Sequence, residues 1–265
     1  MRILVCIKQV PDTAEVKIDP ETHTLIREGV ENVVNPLDAF AIEEALRLKK
    51  RFGGEAVALS MGPPQAAEAL REAVALGADR GILISGREFA GSDTWSTAHA
   101  LACAARRLEP FDIVLCGKQA IDGDTAQVGP EMAEMLDLPQ VTYVSEIVGV
   151  TDGRLRTRSI IEGGHAEIET EMPCVLTAVK ELNEPRLPTL AGRMRGRRYE
   201  PEVWDAKAID ADPTSIGLEG SPTRVMKVFP PEIDRVTRKI ESLEPASLRE
   251  VADFIRDHVN HAATH

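Results

Sequence analysis

A doubly wound α/β fold with a mostly parallel sheet is the class this sequence predicts, and three observations predict it. Short apolar runs stand at Arg2–Val10, Glu55–Met61, Gly81–Ser85 and Phe111–Cys116. From Glu55 onward these runs return roughly every twenty-five to thirty residues with helical patterns between them, and parallel strands joined by right-handed crossovers need that arrangement. The length of 265 residues suits one large α/β domain or a domain with an extension, enough to bury a proper core.

Each element has a local reason. Arg2–Val10 reads as the first strand, followed by a hairpin-like excursion, Glu15–Ile18 with Thr24–Ile26. Asn35-Pro36 then opens a helix. Asn35 suits a cap, Pro36 the first helical position, and Asp38 the positive end of the dipole. Phe40, Ala41, Ala45 and Leu48 keep helical spacing until Gly53-Gly54. Glu55–Met61 is a strand, Gln65–Leu76 a helix, Gly81–Ser85 a strand, Asp93–Leu108 a helix and Phe111–Cys116 a strand. The later half changes character: Val141–Val150, Leu155–Ile161, Ala166–Glu171 and Cys174–Val179 are short β segments, and Asp152-Gly153 and Gly163-Gly164 mark hairpin turns.

Composition narrows the function classes. Lys+Arg 31 against Asp+Glu 43 gives a net charge of −12, which disfavours non-specific binding to nucleic acid or anionic membranes. The sequence shows neither a membrane-length apolar run nor a signal-peptide pattern, so a cytoplasmic protein without direct membrane insertion is expected. Cys6, Cys103, Cys116 and Cys174 lie far apart in apolar patterns and read as buried free thiols rather than a metal or redox pair. His258 and His261 have a spacing that would suit a metal on one helix face, but with His265 they read as a solvated polar end. With His23, His99 and His165 they form no triad pattern, so no catalytic residue is assigned. Redox chemistry here would have to come from a cofactor.

The most informative stretch is Phe111–Pro130, FDIVLCGKQAIDGDTAQVGP. A buried strand stops at Gly117, a turn-rich loop with Asp122, Gly123, Asp124 and Thr125 follows, and a helical pattern begins near Gln127. Strand, glycine-bearing loop and helix start present backbone N–H groups and a positive dipole end to an anion. Gly123 would let backbone approach a ligand, and Thr125 and Gln127 add side-chain donors. An ordinary strand-to-helix connection is the competing reading. Asp122 and Asp124 are awkward beside a phosphate, and orienting amides through local turns suits them better than recruiting Mg²⁺. Ligands of open α/β sheets bind outside the carboxyl ends of the strands, where Lys8–Asp12 and Met61-Gly62-Pro63-Pro64 also fall. GxxxxGK[ST] and GxGxxG are both missing, so neither a P-loop nor the usual dinucleotide fingerprint applies.

VCIKQVPDT at 5–13, NVVNPLDAFAIEEALRLK at 32–49, SMGPPQAAEALREAVALGAD at 60–79, CGKQAIDGDTAQVGPEMAEML at 116–136 and NEPRLPTL at 183–190 closely resemble the electron transfer flavoprotein β subunit. The resemblance spans essentially the whole chain, loosely after Arg198. It implies an adenine nucleotide α-hydrolase-like fold and a heterodimer with an α subunit that holds a redox FAD. It also implies electron exchange with flavin dehydrogenases such as an acyl-CoA dehydrogenase. Carried over residue by residue, the family's nucleotide site falls on Cys6, Asn35, Pro36, Leu37, Asp38 and Met61, and on the loop residues Gly117, Lys118, Gln119, Ala120, Ile121, Asp122, Gly123, Asp124, Thr125, Ala126, Gln127 and Val128. The run Thr125-Ala126-Gln127-Val128-Gly129-Pro130, with Gln9-Val10-Pro11-Asp12-Thr13, looks like the branch that holds a second FAD in this subunit, oxidises NADH and bifurcates its electrons. AMP in this pocket, as in one-flavin carriers, is the alternative, and a stress-protein-like ATP-binding module is a third reading.

Arg193, Arg195, Arg197 and Arg198 form a basic cluster that reads as a solvated surface or as a nucleic-acid site. The segment Glu181–Arg198, however, resembles the family's partner-recognition loop, whose leucine, here Leu190, docks in an apolar pocket of the dehydrogenase, with the cluster as a charged rim. The expected organisation is therefore a nucleotide-binding domain over residues 1–200 and an arm over 201–265 that packs on the α subunit. A disordered linker is the competing reading of that tail. The arm reading rests on large apolar residues without periodicity, unusual for a linker, among them Trp204, Ile209, Ile216, Leu218, Val225, Met226, Val228 and Phe229.

Overall fold

The structure is a computed structural model, and it describes residues 1–12, 17–18, 25–26, 32–226, 239–240 and 244–262. The chain opens with β1 (Arg2–Cys6) and β2 (Gln9–Pro11), followed by the two-residue strands β3 (Lys17–Ile18) and β4 (Leu25–Ile26) and by β5 (Asn32–Val34). The first strand thus stops at Cys6, and Gln9–Pro11 turns away to pair antiparallel with β5. The excursion expected between them appears as the β3–β4 pair, while Thr13 and His23 lie outside the described residues. Then follow α1 (Pro36–Phe52), β6 (Glu55–Met61), α2 (Ala67–Leu76), β7 (Arg80–Ile84), α3 (Thr94–Arg106), β8 (Ile113–Gly117) and α4 (Val128–Leu136). The later half contains β9 (Gln140–Thr151), β10 (Arg154–Ile161), β11 (Gly164–Glu171), β12 (Cys174–Ala178), α5 (Leu190–Arg198), β13 (Glu202–Trp204) and α6 (Pro245–Ala262).

Among the described residues, nine strands form one sheet in the order β11-β10-β9-β12-β8-β1-β6-β7-β13. All pairs from β9 to β13 are parallel, and β10 runs antiparallel to both β9 and β11. The class expected from the sequence is the class observed. Side chains alternate across the pleat, so Ile3 and Val5 of β1 face α1 and α2, while Leu4 and Cys6 face α3 and α4. Both faces are covered, which is why the central strands read as continuous apolar runs. In the β9–β10 turn, Asp152 and Gly153 both have positive φ, as a tight hairpin requires. The second hairpin turns on Glu162-Gly163, with Gly163 at φ 78° and Gly164 already in β11.

The tail divides differently from the expectation. The chain forms two compact units, 1–228 and 229–265, so residues 201–226 belong with the α/β domain. β13 extends the sheet beside β7, and Ile209, Ala211 and Ile216 are buried in the core layer that contains α3. The Ser96 hydroxyl donates to the carbonyls of Ser215 and Gly217, and Arg107 Nε donates to Ala208 O. Ile209, Ala211 and Ile216 lack a period because three strand residues and a few single turns fill that surface. Val225 and Met226 are exposed, and Val228, Phe229 and His265 lie outside the described residues. The second unit contains α6.

Candidate functional site

The carboxyl ends of β1, β6 and β8 open onto a cavity of about 540 Å³. Its floor is apolar, with Cys6, Met61, Leu101, Cys116 and Val128, and the loop after β8 forms one wall. Thr94 and Thr97 from the start of α3 stand opposite.

That loop is held by residues far away in sequence. Asn35, fully buried, donates through Nδ2 to Gln119 O (2.9 Å) and accepts from Ile121 N (3.1 Å). It does not cap α1 with its side chain, contrary to the sequence reading, because both ends of its carboxamide are committed to the loop. Lys8 Nζ pairs with Asp122 at 2.6 Å, and the Gln119 side chain donates to Asp124. Both aspartates thus serve the loop itself. Among the described residues, no group of three or more His, Cys, Asp or Glu side chains is placed to hold a metal ion.

Two non-glycine residues in the loop have left-handed backbone, Asp124 at φ 56° and Ala126 at φ 55°. Gly123 has no positive φ, and a Cβ on it would meet nothing within 4 Å. Asp tolerates that region, whereas for Ala126 it costs about 1–2 kcal/mol. Such strain concentrates at functional sites. Ala126 (left-handed) followed by Gln127 (right-handed, φ −102°, ψ −34°) turns successive N–H groups toward one concavity, the geometry of an anion nest. The nest leads into α4, whose N-terminus has no side-chain cap from Gln127. The Val128 and Gly129 N–H groups have no partner within the helix, and Pro130 has none to offer.

Gly117 is required by packing. A Cβ there would stand 2.3 Å from Asp38 Oδ1 and 2.7 Å from Leu37 C, so α1 approaches β8 only because position 117 has no side chain. Asp38 is buried at this contact and accepts from Lys8 N at 2.7 Å. Burial pushes its carboxyl up to about 7, with hydrogen bonds from Asn35, Lys8 and Gly117 opposing the shift. Cys6 and Cys116 are partners in the β1–β8 register, and Cys6 Sγ lies 3.7 Å from Met132 Sδ. All four cysteines are free and buried. The Cys116 thiol is pushed well up by its hydrogen bond with Cys6 and by burial, so it is an inert wall rather than a nucleophile.

Of the residues named from the sequence, Cys6, Asp38, Met61, Gly117, Lys118, Gln119, Ala120, Gly123, Thr125, Ala126, Gln127 and Val128 line the cavity. Asn35, Pro36, Leu37, Ile121, Asp122 and Asp124 do not; Asn35, Asp122 and Asp124 support the loop, and Leu37 packs behind Gly117. Lys8, placed at the strand end by the sequence, also lines the cavity, while sequence reasoning did not assign Ile7, Ser92, Asp93, Thr94, Thr97, Leu101, Gly129 or Val225 to the site. Asp93 caps α3 by accepting from Ser96 N, so Gly91-Ser92-Asp93-Thr94 carried a helix-start signal that could have pointed to Thr94.

The electron transfer flavoprotein domain model matches residues 22–209. The electron transfer flavoprotein subunit beta of Thermoanaerobacterium thermosaccharolyticum is 50% identical over 236 residues, covering 89% of this chain and 90% of that protein. The chain belongs to the electron transfer flavoprotein β-subunit family. The Megasphaera elsdenii protein of the same name is 52% identical over 238 residues, covering 87% and 88% of the two chains. The caffeyl-CoA reductase-Etf complex subunit CarD of Acetobacterium woodii is 49% identical over 232 residues, with 87% and 88% covered.

In this member of the electron transfer flavoprotein family, the residues named for partner recognition occupy a different structure from the expected loop. Residues 183–189 have no regular secondary structure, and Thr189 then caps α5 by accepting from Gly192 N. Leu190, Arg193, Arg197 and Arg198 are exposed. Arg195 is exposed as well, and its guanidinium turns back onto the carbonyls of Val74 and Ala78 at the end of α2, where a cation is favoured. No helix among the described residues is long and apolar enough to cross a membrane.

Proposed function

We propose that this chain is the β subunit of an electron transfer flavoprotein heterodimer and that its strand-end cavity holds a flavin nucleotide, FAD. The observation that carries this reading is the nest of Ala126 and Gln127 leading into the uncapped start of α4, inside a cavity with an apolar floor. N–H groups there suit a phosphate or pyrophosphate, and Cys6, Met61, Leu101 and Val128 offer an apolar bed for a ring system. FAD would supply the electron chemistry; the chain binds and orients it. Asn35, Lys8 and Asp122 keep the loop in one conformation, so binding costs less ordering.

In this reading the α subunit completes the site, and the heterodimer exchanges electrons with flavin dehydrogenases of the acyl-CoA dehydrogenase type. The printed name of the Acetobacterium woodii relative, a subunit of a caffeyl-CoA reductase complex, supports a partner acting on CoA thioesters. The small side chain of Ala126 and the apolar one of Val128, both lining the cavity, support the NADH-oxidising, bifurcating branch with FAD in this subunit. AMP is the second reading, favoured by a volume of about 540 Å³ that suits a mononucleotide, whereas a dinucleotide must extend through the mouth. Exposed Leu190 above Arg193 and Arg197 supports docking of the dehydrogenase at α5, an apolar anchor with a charged rim.

Co-expression with a candidate α chain and analysis of the released nucleotides tests both. FAD in this subunit gives a flavin content approaching twice that of a one-flavin carrier, with little AMP and bleaching by NADH. Equal FAD and AMP without NADH-dependent bleaching establishes the one-flavin carrier. A colourless chain that forms no heterodimer overturns the proposal.

A further inference from the structure

We propose that Glu43 is a positioning residue for partner docking: its ion pair with Arg186 sets Leu187 and Leu190 as a two-point apolar anchor for a flavin dehydrogenase. The inference rests on the docking reading above and adds to it a second anchor and the device that holds both.

Glu43 sits in the middle of α1 with 5% of its surface exposed. A buried carboxylate is tolerated only when well paired. Arg186 meets it with Nε at 2.6 Å and a terminal nitrogen at 3.1 Å, and the Arg186 backbone N–H adds a third bond at 3.2 Å. Arg47, one turn along the helix, contributes Nε at 2.8 Å. Burial pushes the Glu43 carboxyl up, but the Arg186 and Arg47 bonds outweigh it and hold the group below the ordinary range. Beside this fork, Asn183 Nδ2 donates to Phe40 O at 2.9 Å and to Glu44 Oε2 at 3.0 Å. Residues 183–186 are therefore strapped to α1, and none of them lines the strand-end cavity.

Directly after the strap stands Leu187, 85% exposed, and three residues on stands Leu190, 78% exposed. The far side is fixed as firmly. A Cβ on Gly192 would lie 2.2 Å from Ala75 O, and one on Gly196 2.5 Å from Arg71 O, so α5 lies directly against α2. Two large apolar side chains are thus carried on backbone clamped at both ends. An exposed pair on immobile backbone marks a contact surface whose ordering cost is already met. Arg193, Arg197 and Arg198 on the same helix commit the occupant to an apolar recess with an acidic rim. Loss of the Glu43 charge would release the strap and let Leu187 swing, while the anchors themselves remain.

The test uses the reconstituted heterodimer and measures flavin reduction by a reduced acyl-CoA dehydrogenase across its concentration. Leu187→Ala, Leu190→Ala and Glu43→Gln should each raise the half-saturating concentration about three- to tenfold and leave the limiting rate within about twofold. Bound nucleotide should stay at the wild-type level in all three. Amide hydrogen exchange over residues 186–190 should quicken in Glu43→Gln and remain unchanged in the two leucine variants. Arg186→Lys, which keeps the charge and loses the fork, should fall between, and it carries the test if Glu43→Gln does not fold. Wild-type exchange and half-saturation in Glu43→Gln, with Leu190→Ala impaired, overturns the clamp and leaves docking standing. Leu190→Ala impaired with Leu187→Ala unaffected overturns the two-point anchor. Both leucine variants behaving as wild type overturns the docking reading itself.

Discussion

The Asn35 carboxamide accepts from the Ile121 backbone N–H at 3.1 Å across 86 positions of sequence, and with its bond to Gln119 O it makes the loop after β8 a fixture of α1. Replacement by Asp keeps the acceptor but sets a carboxylate oxygen against a carbonyl in a buried site. Leaving such groups unsatisfied costs about 1–3 kcal/mol. Asn35→Asp should therefore lower stability in urea by an amount of that order. It should also shed nucleotide from the purified heterodimer during dialysis. A variant that retains wild-type nucleotide content would show that the loop does not depend on this bond.

Gly117 makes a sharper demand. Its missing Cβ is replaced in space by Asp38 Oδ1 and by the backbone of Leu37, and backbone cannot move aside as a flexible side chain can. Gly117→Ala should push α1 away from β8, destabilise the domain by roughly 1–3 kcal/mol as overpacking does, and weaken nucleotide retention. Gly123→Ala is the control, because a Cβ there meets nothing within 4 Å. Equal losses in both variants would refute the packing argument.

The parts of this fold that were legible in the sequence are those with a local cause. Glu55–Met61 was bounded by its apolar run, α1 by Asn35-Pro36 and Gly53, and the site loop by the strand that ends at Gly117. What was not legible depends on distant partners. Asn35 looks like a cap, since a short carboxamide before proline fits that role equally well, and only Gln119 and Ile121 reveal the other use. Thr94 and Thr97 reach the cavity because α3 starts at the same sheet end, a convergence that no window of sequence contains. α5 was hidden because its two glycines weaken a helix signal and its nine residues show no apolar face; Thr189 starts it, and Gly192 and Gly196, one turn apart, let it lie on α2. Residues 201–221 were hidden because an edge strand of three residues and isolated turns have no period.

Asp38 gives the domain a pH dependence with a definite sign. Its carboxyl is raised from 3.8 to about 7 by burial, so the folded state holds the proton more tightly than the unfolded chain. The stability this provides is fully present below about pH 4 and is lost as pH rises through 7. Across that window the loss is on the order of a few kcal/mol. Asp38→Asn does not titrate, so the difference in urea midpoint, wild type minus variant, should fall between pH 4 and 7 and level off above it. A difference that is flat, or that rises with pH, would mean that the carboxylate is charged in the folded domain throughout.

The boundary at residue 228 changes what a truncation should do. Deleting 201–265 removes β13, Trp204 and the buried Ile209 and Ile216, and each fully buried side chain contributes about 1.5–3 kcal/mol. That fragment should be insoluble or molten. A chain ending at 228 keeps the whole first unit and should fold with a cooperative urea transition. Its partner binding is a separate matter. In α6, Leu248, Val251 and Ile255 recur at helical spacing on one face, and Leu248 and Ile255 are exposed. Such a stripe is suited to the α subunit, which we propose as the surface that receives α6. Chain 1–228 should therefore fold alone yet fail to co-purify with the α chain, and Leu248→Asp with Ile255→Asp in the full chain should reproduce the loss. Normal heterodimer from the 1–228 chain would place the α-subunit contact elsewhere, on the α/β domain itself.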